Sequence, residues 1–193
     1  DALVPGLPRA SAPDTVAPDP AAIAKLRGLY RDTRTNASLR LDTARGQLQR
    51  AEGAVLRPLR DGTYLLGATR VRFTIGPTGK PAEMRQPTAD GDTLVFAYTA
   101  ESLWTPTATE LAGLSGKYRN DEIGVTFTVS VVEGGRLAVS PRVGAADTLT
   151  ATHRDGFVTG GGTVWFVRDT KGRAAAMHFG SARVWDFVST RVP

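Results

Sequence analysis

The stretch LRGLYR, residues 26–31, returns 88 positions later as LSGKYR, residues 114–119. Further along the chain, a second set of matching residues lies 93 positions apart. The pairs in this set are Leu56 and Leu149, Tyr64 and Phe157, Phe73 and Phe166, Gly79 and Gly172, and Met84 and Met177. Repetition at a fixed spacing indicates one structural unit that occurs twice in tandem. We therefore predict two units of the same fold, over residues 22–100 and 111–193, joined by a connector over residues 101–110.

Short segments of alternating apolar and polar residues predict β-strands within each unit. In residues 125–131, Val and Phe alternate with Thr and Ser, which places one apolar row against a core. Asp-Gly at residues 61–62 and 155–156 predicts tight turns between strands. The predicted strands of the first unit are 29–31, 38–42, 47–50, 54–59, 64–66, 70–75, 82–85 and 93–98. Those of the second unit are 117–119, 125–131, 137–139, 148–152, 156–159, 163–168, 174–178 and 183–188.

Eight consecutive short strands in each unit favour an antiparallel meander that closes into a barrel. Closure pairs the two edge strands, which would otherwise expose unpaired backbone groups. The predicted fold is therefore all-β, with two eight-stranded barrels in tandem. An open sheet or a two-sheet sandwich is the alternative.

The segments outside the strands are short. Residues 1–21 hold five of the twelve prolines and predict a semi-rigid Pro/Ala-rich linker. Short helical turns are predicted over residues 21–29 and 110–114. Trp104 in the connector is predicted to pack either between the units or against the bottom of the first unit.

The composition excludes several kinds of site. The absence of cysteine excludes disulfides, thiolate metal sites and a cysteine nucleophile. No stretch approaches the length of a membrane-spanning helix, and strands of about five residues are shorter than those of outer-membrane barrels, so membrane insertion is not predicted. Residues 22–100 carry 13 basic and 7 acidic side chains, yet the basic residues are dispersed, and no nucleic-acid partner is predicted.

The repeated pattern resembles a known family of domains. It consists of Leu-x-Gly-x-Tyr-Arg, a strand with a Gly turn and a Leu, Asp-Gly before an aromatic residue, and Val-x-Phe or Val-Trp-Phe before a Gly turn. It resembles the C-terminal β domains of secreted serine hydrolases of the penicillin-binding and class C β-lactamase-related group, which includes D-aminopeptidases. The resemblance spans Ile23 to Val188 and implies lipocalin-like barrels, a periplasmic or extracellular location, and a catalytic serine-hydrolase domain of the same polypeptide as partner.

The nucleophile motif of that group is missing from this chain. In Ser-x-x-Lys the lysine lies one helical turn from the serine and takes its proton. None of the eight serines has a lysine three positions later. The chain is therefore predicted to be non-catalytic.

Other residues that carry chemistry in enzymes have simpler interpretations here. Tyr118-Arg119-Asn120 and His178-Phe179-Gly180 mimic motifs of the group, but Tyr118 repeats Tyr30 and is predicted to be buried in a barrel. His153 and His178 are predicted to be isolated surface or rim residues, and Asp61 and Asp155 to be turn residues. The glycines at 160–162 predict a loose hairpin. No catalytic, cofactor-binding or metal-binding residue is predicted, and no cofactor.

Three functions remain open from the sequence. The first is a non-catalytic accessory region of a secreted serine hydrolase, which braces the catalytic domain or restricts access to its cleft through loops such as residues 76–80 or 160–163. The second is a free-standing barrel that binds a small apolar ligand, although the bulk of the aromatic residues in the second unit predicts a filled interior. The third is an interaction domain whose basic first unit binds an acidic partner.

Overall fold

Two closed, antiparallel, eight-stranded barrels follow each other along the chain. A computed structural model of the protein describes residues 13–100, 103–142 and 145–193. The prediction of an all-β tandem of barrels is confirmed, and the open-sheet and sandwich alternatives are wrong.

The first barrel is preceded by a short helix, α1 (Pro20–Lys25). Its strands are β1 (Gly28–Asp32), β2 (Ser38–Ala44), β3 (Gln47–Arg50), β4 (Val55–Pro58), β5 (Tyr64–Leu66), β6 (Thr69–Ile75), β7 (Pro81–Pro87) and β8 (Thr93–Thr99). Each strand pairs with the next, and β1 closes the barrel against β8 through pairs such as Tyr30 with Tyr98.

The second barrel repeats this order. A helix, α2 (Ala108–Leu114), precedes strands β9 (Gly116–Asn120), β10 (Val125–Val132), β11 (Arg136–Arg142), β12 (Ala145–His153), β13 (Gly156–Thr159), β14 (Gly162–Arg168), β15 (Ala174–Gly180) and β16 (Phe187–Val192). Strand β16 closes against β9, where Arg191 pairs with Tyr118. The last strand was predicted over residues 183–188, but residues 181–186 form a loop whose polar contacts replace strand pairing.

The repeated residues form the two cores. In the first barrel they surround Tyr30 with Leu56, Tyr64 and Met84, and in the second they surround Tyr118 with Leu149, Phe157 and Met177. Tyr30 and Tyr118 are fully buried, as predicted for Tyr118. Their rings meet Phe73 at 6.0 Å and Phe166 at 5.5 Å between centroids. The repeat therefore encodes matching interiors, one in each barrel.

Each helix closes one end of the barrel that follows it. Ile23 of α1 and Leu26, which directly follows this helix, belong to the first core, and Leu111 and Leu114 of α2 belong to the second. The tyrosine hydroxyl in each core donates a hydrogen bond to the last leucine carbonyl, at 2.8 Å for Leu26 and 2.6 Å for Leu114. Burial of the ring raises the pKa of each of these tyrosines, so the hydroxyl remains a donor at neutral pH.

The glycine of the repeated hexapeptide has a specific role at the start of each first strand. Gly28 adopts a φ of 146°, in the region that side chains rarely occupy. A Cβ at this position would lie 2.5 Å from the ring of Tyr98. Gly28 thus lets β1 pass close to the aromatic core, and Gly116 occupies the same place in the second barrel with a φ of 155°.

Trp104 does not lie where the sequence predicted. Its ring packs edge-on against Phe157 at 5.7 Å, and its backbone N–H donates to the carbonyl of Thr152. The connector tryptophan therefore packs against the core of the second barrel, the same core that Leu111 and Leu114 of α2 belong to.

The β1–β2 turn of the first barrel meets the ends of β12 and β15 and the β15–β16 loop of the second barrel. Asn36 Nδ2 lies 3.3 Å from Nε2 of His153, and the guanidinium of Arg34 lies 4.9 Å from the centre of the Trp185 ring. Gly180 lies so close to the first barrel that a Cβ there would be 2.6 Å from the carbonyl oxygen of Thr35. A residue without a side chain is needed at this contact.

Candidate functional site at the open end of the second barrel

The second barrel contains an apolar cavity at the end opposite α2. Its volume is about 330 Å³, near the lower end of the range for small-ligand pockets. In the part of the chain that the structure describes, the residues that line it are Phe127, Val139, Pro141, Asp147, Thr159, Val164, Met177, Phe179, Val184 and Phe187. The interior that the aromatic residues were predicted to fill is therefore partly open.

The aromatic residues of this barrel divide between three places. Phe157 and Phe166 are buried in the core and pack edge-on at 5.8 Å. Phe127 and Phe187 stand at the open end, 6.1 Å apart, and line the cavity. Trp165 stacks on His178 at 5.2 Å, outside the cavity. The number of aromatic residues overestimated how completely they fill the barrel interior. Only some of them lie in the core, and the others line the cavity or lie outside it.

The hairpin formed by β11 and β12 builds one wall of the cavity. Leu137 pairs with Leu149 inside the core, and Val139 pairs with Asp147 one step further out. Side chains two positions apart on a strand share a face. Asp147 therefore lies on the inward face with Leu149, at the edge of the cavity, and its side chain is exposed there.

The loop over residues 181–186 borders the opening on the other side. Val184 lines the cavity, and its carbonyl accepts a 2.6 Å hydrogen bond from the N–H of Ser181. Asp186 Oδ1 lies 2.7 Å from Nδ1 of His178, and Trp185 carries the contact to Arg34. The edge of the cavity is thus held both by its own barrel and by the first barrel.

A second, polar groove of about 540 Å³ runs between the barrels. Asp92 pairs with Arg34 at 2.6 Å in this groove, and that hydrogen bond lowers the pKa of the Asp92 carboxyl. Asp32 also lines it, with one carboxylate oxygen bonded to the N–H groups of Arg34 and Thr35. Gly161 and Gly162 border the same groove from the second barrel.

The residues that mimic catalytic motifs have structural roles in the described parts of the chain. Asn120 donates to the carbonyl of Val188 at 2.7 Å and accepts from the N–H of Ile123, so it fixes the turn after β9. His178 forms the pair with Asp186 described above, as a partly buried residue of β15. His153 is 1% exposed and lies at the contact between barrels, so its prediction as a surface or rim residue is wrong.

The two Asp-Gly turns also have defined partners. Asp61 pairs with Arg70 at 2.5 Å, and Asp155 receives two hydrogen bonds of 2.7 Å from Arg168. The predicted loose hairpin at residues 160–162 is instead a tight turn, because Thr159 pairs directly with Gly162. A turn of this kind positions strands, and it brings Gly162 close to the carbonyl of Gly180.

Many arginines of the first barrel have an acidic neighbour. Seven of the eleven arginines in residues 22–100 form ion pairs with acidic neighbours: Arg27, Arg34, Arg40, Arg50, Arg60, Arg70 and Arg85. This pairing weakens the case for an acidic partner, which needs unpaired basic side chains on one face. Within the described ranges, no group of three or more His, Asp or Glu side chains is placed to hold a metal ion. No helix in those ranges is long and apolar enough to span a membrane.

Sequence reasoning missed the cavity, although one signal for it was present. The spacing of the repeat changes from 88 to 93 between its two blocks, so the second unit has extra residues in between. Most of this difference falls in the β11–β12 hairpin, which supplies Val139, Pro141 and Asp147 to the cavity wall. The change of spacing therefore marks the hairpin in which the two units differ.

Comparison with known proteins adds no relative. A scan against models of known protein families gives no match to this chain, and no curated protein matches it significantly in sequence.

Proposed function

We propose that this chain is the non-catalytic C-terminal accessory region of a secreted β-lactamase-related serine hydrolase of the peptidase or esterase type. The tandem of closed eight-stranded barrels carries the proposal, because it is the architecture that the repeated sequence pattern implies for that group. In this role the barrels brace the catalytic domain or restrict access to its cleft, in the periplasm or outside the cell.

The segment before the first barrel supports such an attachment. Thr15 forms a β-bridge with Leu59, and the N–H of Val16 donates to the carbonyl of Pro58 at 3.0 Å. Asp14 pairs with Arg60 at 2.7 Å. A domain joined through residues 13–19 would therefore be held beside the β4–β5 turn of the first barrel.

The two loops proposed to face the catalytic domain lie in different surroundings. In an antiparallel meander, alternate turns lie at the same end, so residues 76–80 share the end of the β4–β5 turn where this segment is bound. Residues 161–163 instead line the groove between the barrels. We therefore propose that residues 76–80 contact the catalytic domain and that residues 160–163 contribute to barrel docking.

The test combines the parent gene with an activity assay. The coding sequence before residue 1 should encode a Ser-x-x-Lys helix, and the longer product should hydrolyse a β-lactam, a D-amino-acid anilide or an aryl ester. The purified 193-residue chain should turn over none of these. A preceding reading frame without Ser-x-x-Lys, or turnover by the isolated chain, would contradict the proposal.

We propose a second function that is compatible with the first: the second barrel binds a small apolar ligand. The cavity of about 330 Å³ at its open end supports this function, since the described residues of its wall are apolar except for Asp147 and Thr159. Removing an apolar ligand from water is favourable in proportion to the area buried.

Calorimetric titration of the chain with 1-octanol tests this function, with saturable one-to-one binding as the expected result. Val184 and Val188 are 41% and 42% exposed and lie four residues apart, but of the two only Val184 lines the cavity. Val184→Trp should therefore abolish binding by filling the opening, whereas Val188→Trp should leave it unchanged. Equal effects of both variants, or no binding to the unmodified chain, would contradict ligand binding in this cavity.

A further inference from the structure

We propose that the cavity of the second barrel selects a small apolar molecule that ends in a positively charged amine, in preference to a fatty acid. The inference rests on the second proposed function, ligand binding at this site. It names the chemical class of the ligand from Asp147, which is the one charged residue among the described residues that line the cavity.

The position of Asp147 follows from strand register. Val139, its partner on β11, is buried and lines the cavity, and directly opposed residues of two paired strands point to the same side of a sheet. Leu149, two positions later on β12, lies in the core below. The Asp147 carboxylate therefore stands at the upper edge of an apolar wall, on its inner side.

Asp147 has no charged partner among the residues that the structure describes. Most other acidic groups in the described ranges have one, such as Asp155 with Arg168 at 2.7 Å and Asp61 with Arg70 at 2.5 Å. The carboxylate of Asp147 forms no such ion pair or hydrogen bond in the described ranges, although it is exposed at the opening. It is thus available to a cation without loss of an existing contact.

The remaining wall defines the other part of the ligand. Phe127, Val164, Met177 and Phe187 offer hydrocarbon surface and no charge. A ligand with an apolar body can lie against these side chains while its polar end remains at the opening, near Asp147. Thr159 belongs to the same lining, and its hydroxyl can accept a further hydrogen bond, because the bond from the N–H of Gly161 uses one lone pair.

Charge decides between amphiphiles of equal length. An ammonium group beside Asp147 gains an attraction, whereas the carboxylate of a fatty acid meets repulsion from it. One exposed charge pair contributes little, but the attraction of the amine and the repulsion of the acid add, so we expect about tenfold between the two ligands. The neutral alcohol of the same length should bind with intermediate affinity.

The experiment titrates the full chain at pH 7 with three eight-carbon probes, n-octylamine, 1-octanol and octanoate, below their micellar concentrations. The expected order of affinity is amine, alcohol, acid, with about tenfold between the first and the last. In Asp147→Asn the three affinities should converge, and in Asp147→Lys the order should reverse. Glu133→Gln is the matched control, because Glu133 is an exposed acid in the turn at the opposite end of the same barrel.

The outcomes separate the two proposals. Binding of 1-octanol without a preference for the amine, or a preference that survives in Asp147→Asn, would overturn the inference and leave ligand binding intact. Binding of none of the three probes would overturn both. A loss of preference in Glu133→Gln equal to that in Asp147→Asn would also overturn it, since the effect would then come from net charge alone.

Discussion

The β3–β4 hairpin of the first barrel and the β11–β12 hairpin of the second occupy the same place in the repeat but differ in length. Each is anchored by two buried leucines that pair across the strands. Leu48 pairs with Leu56, eight positions later, and Leu137 pairs with Leu149, twelve positions later. The second hairpin therefore extends beyond the core by four more residues, and this extension carries part of the cavity wall.

This difference separates what the repeat preserves from what it varies. The leucine pairs and the aromatic centres are matched between barrels, because each must fill a closed interior. The hairpin ends lie outside those interiors, where additional residues leave the core pairing intact. The extra length of the second hairpin thus adds residues to the cavity wall while the paired leucines of the core stay matched.

Shortening the longer hairpin should have the largest effect on ligand binding. Replacing residues 138–148 by residues 49–55 gives the second barrel the hairpin length of the first while keeping the pair of Leu137 and Leu149. We expect complete loss of 1-octanol binding in calorimetry, with the circular dichroism of the barrels retained. Undiminished binding in this chimaera would show that the hairpin does not form the site.

Equivalent core substitutions should cost the same in both barrels. Leu56→Ala and Leu149→Ala each remove a leucine that is 1–2% exposed, so each should lower the free energy of unfolding by about 2–5 kcal/mol. The three tryptophans lie in the connector and the second barrel. Their fluorescence therefore follows the unfolding of the second barrel, whereas far-UV circular dichroism follows the unfolding of both barrels. A loss of unfolding free energy several times larger in one barrel than in the other would show that the two cores are not equivalent.

The contact between the barrels should respond to one glycine. In Gly180→Ala the added Cβ would lie 2.6 Å from the carbonyl oxygen and 2.9 Å from the Cα of Thr35, at a cost of about 1–3 kcal/mol. We expect the fluorescence and circular dichroism transitions in urea to separate as the barrels uncouple. Gly161→Ala is the control, because its nearest contact would be 3.8 Å away, and it should leave the transitions coincident.

A smaller effect is expected where the two barrels use different residues at the same turn. Asn120 bonds through both side-chain atoms, to Val188 and Ile123, whereas its counterpart Asp32 has one buried carboxylate oxygen without a hydrogen-bond partner among the described residues. Asp32→Asn should therefore stabilise the first barrel and Asn120→Asp should destabilise the second, each by about 1 kcal/mol in urea unfolding. A stabilising Asn120→Asp would show that the turns are not equivalent.

The sequence predicted the fold well because the repeat and the strand pattern depend on local spacing. The matches of Tyr30 with Tyr118 and of Leu56 with Leu149 located both cores, and alternation located most strands. The last strand was predicted too early in the chain because Val184 and Trp185 are residue types that favour strands. In the structure Val184 lines the cavity and Trp185 contacts Arg34.

The candidate site was less predictable because it depends on contacts between distant parts of the chain. Nothing local distinguishes Phe127 at the open end from Phe157 in the core. His153 looked like an isolated surface histidine because its burial depends on the β1–β2 turn of the other barrel, where Asn36 lies. Only the longer spacing around Asp147 marked the second barrel as different.

The most direct test of the account is to locate 1-octanol on the chain by two-dimensional NMR of the isotope-labelled protein. We expect saturable shifts at Phe127, Val164 and Phe187, which line the cavity. We expect none at Tyr30 or Phe73 in the core of the first barrel. Shifts of equal size in both barrels, or no saturable shift at the cavity residues, would contradict it.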